Sequence, residues 1–212
     1  MMIGGEHKAI PRAALAECWS CKGPVSVQAM FCHTCGAAQP PRQIDHFTRL
    51  GFEPSFDLDI DLLEKRYLGF QRSVHPDRFA NKSARDRTMA EQQSVSLNEA
   101  FETLNDPLRR ASYLLQLKGQ TASVAKDQTV DDPALLMEAM EAREALAEAE
   151  SAEAVEKLAV KAGADAIKLL SEISKAFAAD DLAAANRLTT RLKYLRKFLE
   201  ETRSRRVALE SF

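Results

Sequence analysis

Between Ile60 and Val74, the apolar residues Leu63, Tyr67, Phe70 and Val74 recur at steps of four, three and four, the buried stripe of an amphipathic helix. Lys65 and Arg72, seven apart, fall on the opposite face with Arg66 beside them. Pro76 ends this helix, because the residue before a proline is driven out of the α region. A second helix, from about Ala84 to Leu104, turns Ala90, Leu97, Phe101 and Leu104 to one side. The pair predicts an antiparallel hairpin with His75-Pro76-Asp77 at its tip and Arg78, Phe79 and Asn81 in the loop.

Asn105-Asp106-Pro107 caps a shorter helix running to about Lys118, with Leu108, Ala111 and Leu115 inward, and the polar stretch Gly119 to Thr129 reads as a loop between domains. Asp132-Pro133 opens the next helix, aspartate as N-cap and proline in the first helical position. Three helices follow, roughly 133–150, 152–178 and 181–209. In the second, Val155, Leu158, Ala162, Ala166, Leu169, Ile173 and Phe177 repeat at threes and fours, and in the third Leu182, Ala185, Leu188, Leu192, Leu195, Leu199 and Thr202 do so. At ~1.5 Å of rise per residue these two run for roughly 40 Å. They predict an antiparallel hairpin with the first helix laid against it.

That first helix has two apolar faces. Leu135, Ala139, Ala142, Leu146 and Ala149 account for a core face, whereas Leu136, Met137 and Met140 point away from it, with Glu144 beside them and Glu141 at the edge. An apolar patch left over after the core is filled marks a partner site, and methionine suits an adaptable one. Burial under a neighbouring domain is the alternative, and periodicity does not choose between the two.

Composition narrows the class. The 212 residues hold only 8 glycines and 8 prolines, which favours helices almost throughout. A formal net charge of −2 argues against general nucleic-acid binding. No apolar run approaches a membrane span, and Met1 to Glu17 lacks the apolar stretch of a signal peptide, with only Lys8 and Arg12 toward a presequence. The expectation is a protein of a reducing compartment, the bacterial cytoplasm, with the mitochondrial matrix as the alternative. Nothing resembles a nucleotide-binding loop or a catalytic triad.

All four cysteines lie in one window: Cys18-Trp19-Ser20-Cys21, ten intervening residues, then Cys32-His33-Thr34-Cys35. Two C-x₂-C pairs so placed aim four thiolates at one point, the ligand set of a tetrahedral structural zinc site. Four thiolates leave no open position for water or substrate, and a segment this small needs the metal to fold. Gly23 and Gly36 are expected to relieve the backbone after each pair, and Trp19 to pack the ribbon. Two disulfides or iron use the same residues, and His33 is expected to be exposed. Ala37 to Gln43, with Pro40-Pro41, reads as a stiff linker to the hairpin.

His75-Pro76-Asp77 alone can be no more than a turn. In its setting it resembles the signature of a J-domain, and Asp45-His46-Phe47-Thr48-Arg49-Leu50-Gly51, Asn98-Glu99-Ala100-Phe101 and Arg109-Arg110-Ala111-Ser112-Tyr113-Leu114-Leu115 match the same pattern. The stretch from Asp132 to Glu144, Asp-Pro-Ala-Leu-Leu-Met-Glu-Ala-Met-Glu-Ala-Arg-Glu, is similar to that of the HscB (Jac-type) co-chaperones. The likeness runs from about Asp45 to Leu199, and the four-cysteine ribbon resembles that of animal mitochondrial members. It implies an all-α chain: a four-cysteine zinc ribbon at 16–39, a J-domain at 44–119 and a C-terminal three-helix bundle at 130–210.

The resemblance further implies a non-enzymatic co-chaperone of iron–sulfur cluster assembly. His75, Pro76 and Asp77, with the basic face of Lys65, Arg66 and Arg72, would activate the ATPase of a DnaK/HscA-type chaperone. Leu136, Met137, Met140, Glu141, Arg143 and Glu144, joined by Tyr194 from the last helix, would bind an IscU-type scaffold. Members more often carry phenylalanine at the Tyr194 place and leucine at that of Met140. No nucleic-acid or membrane partner is implied. Rival readings give the J-domain another client, such as unfolded polypeptides, or make the chain a nucleic-acid adaptor through Arg191, Arg196, Lys197, Arg203, Arg205 and Arg206. The second would bind in a steeply salt-dependent way.

Overall fold

The computed structural model describes residues 14–120 and 132–210. It divides into two compact units, one comprising 14–54 with 59–104 and the other 55–58 with 105–120 and 132–210. Most of the polar stretch expected as an interdomain loop, and most of the first seventeen residues, lie outside the described residues.

The first unit begins with an antiparallel pair, β1 (Leu15–Glu17) and β2 (Pro24–Ser26), in the register Leu15 to Ser26, Ala16 to Val25 and Glu17 to Pro24. A single bridge joins Phe31 to Ala38. Helix α1 (His46–Leu50) is capped by the Asp45 carboxylate, which accepts from the Thr48 N–H at 2.9 Å. It stops at Gly51, whose φ of 76° suits glycine and whose missing Cβ leaves room for Arg66 Nη1, 3.0 Å from where that carbon would stand.

Helices α2 (Ile60–Val74) and α3 (Ala84–Asn105) form the expected hairpin, linked through a 3₁₀ turn, Pro76–Phe79. Tyr67 stacks on Phe101 with ring centroids 4.2 Å apart. Asn98 accepts from Tyr67 Oη at 2.9 Å and from Gln71 Nε2, while Ser94 Oγ donates to Gln71 Oε1 at 2.9 Å. Leu63, Val74, Ala90, Leu97, Ala100 and Leu104 are buried.

The second unit holds α4 (Pro107–Leu117), α5 (Pro133–Glu148), α6 (Ala152–Ala178) and α7 (Leu182–Glu210). Asp106, Asp132 and Ser151 cap their helices through side-chain oxygens, as residues of these types do. Helices α6 and α7 pair along their lengths, with Val155, Ala162, Leu146, Ala149 and Phe198 in one cluster. Helix α4, which the sequence groups with the hairpin, packs here instead: Leu115 clusters with Ala176 and Ala185. Phe56, from the α1–α2 connection, stacks on Phe177 with centroids 5.5 Å apart. Among the described residues no helix is long and apolar enough to cross a membrane.

Candidate functional sites

The ribbon brings the four thiols together. Cys18 Sγ lies 3.8 Å from Cys35 Sγ and Cys21 Sγ lies 3.7 Å from Cys32 Sγ, with all four sulfurs within 4.8 Å of one another. Metal–sulfur bonds of ~2.3 Å at the tetrahedral angle set sulfurs about 3.8 Å apart, so the cage fits a tetrahedral ion. A disulfide needs ~2.05 Å, and all four cysteines are unbridged.

Each pair sits in the same turn. The Lys22 N–H donates to Cys18 O at 3.0 Å and the Gly36 N–H to Cys32 O at 2.8 Å, and the donors sit at φ 63° and 73°. The left-handed position of the first turn therefore falls on Lys22, not on the expected Gly23. Backbone amides shape the acidity. The Cys21 N–H, with that of Ser20, brings the Cys18 thiol down to about 6 against the opposing effect of burial. The amide of Cys35 leads in lowering Cys32. At Cys21 the Gly23 amide pulls downward, but hydrogen bonds that the Cys21 thiol donates to neighbouring cysteine sulfurs, led by Cys35, and burial outweigh it and push the group up to about 11. His33 is exposed.

At the hairpin tip, His75 takes φ −57° and ψ 136°, the extended backbone a following proline requires. Its Nδ1 accepts from the Asp77 N–H at 3.3 Å and lies 3.4 Å from the Asp77 carboxylate. The His75 and Asp77 side chains are 58% and 90% exposed. Lys65 and Arg72 are exposed on α2, whereas Arg66 is half-buried. Arg66 turns back over the Phe52 ring, 4.4 Å from its centroid, and donates to the Leu50 and Gly51 carbonyls. Of the three basic residues, this one is tied into the fold.

In the second unit, Leu136, Met137 and Met140 are 37%, 63% and 61% exposed, and Glu141 and Glu144 flank them. Arg143 leaves that face for α7, where its Nε donates to the Glu201 carboxylate at 3.0 Å. Glu141, Arg143 and Tyr194 line one groove of about 590 Å³ between α5, α6 and α7, which Leu136, Met137, Met140 and Glu144 do not enter. Of the arginines on the last helix, Arg191 pairs with Glu138, Arg196 with Asp106 at 2.6 Å and Arg206 with Glu156 at 2.7 Å. Gln93 escaped the sequence reading: it is buried on α3, although glutamine carries no apolar signal.

A helical hairpin presenting His-Pro-Asp, joined to a four-cysteine ribbon and a three-helix bundle, defines a J-domain protein with two appended modules. Residues 131–203 match the family model described as the HSCB C-terminal oligomerisation domain. The chain is 32% identical over 201 residues to the mouse iron-sulfur cluster co-chaperone protein HscB, covering 93% of this chain and 86% of the relative. It is 36% identical over 166 residues to a Shewanella co-chaperone protein HscB homolog, covering 74% and 94%. The crystal structure of human co-chaperone protein HscB superposes with a TM-score of 0.83 at 33% identity, over 92% of this chain and 100% of that one. The chain belongs to the HscB family of iron–sulfur cluster co-chaperones.

Proposed function

We propose that this protein binds an IscU-type scaffold through its C-terminal bundle, delivers it to a DnaK/HscA-type chaperone and stimulates that chaperone's ATPase. Two exposed functional side chains on a stiffened loop carry this reading. Pro76 fixes φ, the 3₁₀ turn orders the next residues, and His75 and Asp77 face solvent, paired with each other. Lys65 and Arg72 supply a basic face for an acidic surface of the chaperone, and Arg66 contributes mainly by tying α2 to the end of α1. ATP is cleaved by the partner, and this chain biases the partner toward its hydrolysing state.

The scaffold would meet Leu136, Met137 and Met140 first, as these form the unpartnered apolar face, with Glu141 and Glu144 at the rim. Arg143 and Tyr194, set in the adjoining groove, would add an edge contact. Zinc is the metal we assign to Cys18, Cys21, Cys32 and Cys35, where it would cross-link the ribbon and supply no reactive position. Unbridged thiols support a reducing compartment, the bacterial cytoplasm or the mitochondrial matrix.

The test is the steady-state ATPase of the cognate chaperone with scaffold present. The protein should stimulate it, and a folded His75→Gln variant should not. A folded wild type that leaves the rate unchanged with its true partners would remove the proposal.

A further inference from the structure

The ribbon is not strung from the hairpin on a spacer. Ala38 and Gln39, expected within a linker, are completely buried. Ala38 joins Phe79 and Ala90 in one apolar cluster, with Phe31 and Met89 packed against it. Phe31, which directly precedes Cys32, stacks on Phe79 with ring centroids 6.2 Å apart and planes 11° from parallel. Phe79 lies two residues beyond Asp77, and from His75 to Arg85 it is the one buried residue. The hairpin tip therefore has a single apolar anchor, and the ribbon forms part of that anchor's socket.

Polar contacts run along the same path. Gln39 Nε2 donates to Cys18 Sγ at 3.3 Å and to Ala37 O at 2.9 Å, while Gln39 O accepts from Gln93 Nε2 of α3 at 2.9 Å. One buried residue thus links a ligand sulfur to the hairpin. Trp19, between the first two cysteines, donates from Nε1 to Ala38 O at 2.7 Å and lies under the Arg85 guanidinium, 4.3 Å from the ring centroid. The ribbon's own core is only Cys18, Val25 and Cys32 with Ala16 and Ala29 against them, too small to keep this shape without its metal cross-link.

We infer that the metal-loaded ribbon positions the chaperone-activating loop, with Phe31 and Gln39 as positioning residues acting through Phe79 and Gln93. The inference rests on the proposed ATPase stimulation for its functional consequence, but its structural half stands separately. When the cysteines lose their metal, the Phe31–Ala38 bridge and the Gln39 hydrogen bonds lose their support, and Phe79 loses one wall of its socket. Lys65 and Arg72 on α2 keep their places, so docking to the chaperone persists while the loop's ability to activate falls.

Hydrogen exchange on the full-length protein decides the structural half, comparing zinc-loaded protein with protein stripped by a chelator. Peptides spanning 76–92 should exchange at least tenfold faster after stripping and recover on adding zinc, with those of α6 and α7 unchanged. Phe31→Ser and Gln93→Ala, loaded with cobalt so that their spectra report an intact tetrathiolate site, should show the same acceleration. Phe31→Leu should restore most of the protection. In the ATPase assay these two variants should lower maximal stimulation severalfold while the half-maximal concentration stays within about twofold. Unchanged exchange across 76–92 in stripped protein, or in both variants with intact metal sites, overturns the coupling. Failure of wild type to stimulate instead removes the proposed function and leaves the exchange result to judge the coupling.

Discussion

The four-cysteine ribbon and the C-terminal bundle solve the same problem by opposite means. Helices α6 and α7 run for 27 and 29 residues and bury a continuous seam that includes Val155, Ala162, Leu169, Ile173, Ala185 and Leu192. That seam offsets the conformational entropy lost on folding. The ribbon has only Val25, Cys18 and Cys32 at its centre, so on the reading proposed above its order would come from metal ligation and from leaning on a neighbour. A hydrophobic core distributes its stabilisation over many replaceable contacts, whereas a ligand cage concentrates it in four sulfurs.

The largest effect expected from this contrast is at the cage. Cys32→Ser should abolish stoichiometric metal binding, read by metal analysis, because it opens the four-sulfur cage, and structural zinc contributes on the order of 10–16 kcal/mol in zinc-finger peptides. The near-ultraviolet signal of Trp19 should collapse while the far-ultraviolet helical signal changes little. Its mirror image is Ile173→Ala, which removes a completely buried side chain from α6 and should cost about 2–5 kcal/mol by denaturant unfolding. Metal content should be unaltered, and a parallel loss of metal would erase the distinction drawn between the two regions.

Surface changes should separate function from stability. Leu136→Ala with Met140→Ala should weaken binding of an IscU-type scaffold at least tenfold by calorimetry, about 1.4 kcal/mol. Because both side chains are exposed, the thermal midpoint should scarcely move. Unchanged scaffold affinity would favour a different client.

The smallest effect concerns Asp106, the cap of α4, which accepts from the Arg109 N–H at 2.9 Å and pairs with Arg196. Burial raises its pKa, but the Arg109 amide, Arg196 and the Leu108 amide together outweigh burial and leave the carboxyl below its usual value. A depressed folded pKa means stabilisation that is present above the unfolded value, about 3.9, and lost as pH falls through the folded one. Asp106→Asn keeps the cap, because asparagine caps as well as aspartate, but removes the ion pair with Arg196 and should therefore cost up to about 1 kcal/mol near neutral pH. The gap from wild type should begin to narrow as pH falls below the unfolded value of about 3.9 and close below the lower folded one, as followed by urea melts at several pH values.

Much of this was legible along the chain. The apolar period and Pro76 predict the hairpin's first helix over the span observed, Ile60–Val74, and the period from Val155 to Phe177 does the same for Ala152–Ala178. Cysteine spacing identified the cage, because ligand geometry is local to two short turns. The second face of α5 was visible as surplus apolar positions, and the structure leaves those side chains exposed. Other features were hidden because polar side chains carry no signal of burial. Arg66 belongs to the basic face by periodicity but is drawn back to Gly51, and Arg143 swings to Glu201. Phe198 supplies core that the period through Leu195 and Leu199 had passed over.

The sequence by itself determined the long helices, the caps at Asp106 and Asp132, the clustering of the four cysteines and the residues at the hairpin tip, since each depends on neighbours within a turn or two of chain. Only the tertiary structure decided that Ala38 and Gln39 dock on α3 and that Phe31 covers Phe79. The Gln39–Gln93 hydrogen bond spans 54 residues, and no local period encodes a contact between a loop carbonyl and a distant amide. Such contacts exist because a buried polar group must find a partner, and which partner it finds is settled when the chain closes on itself.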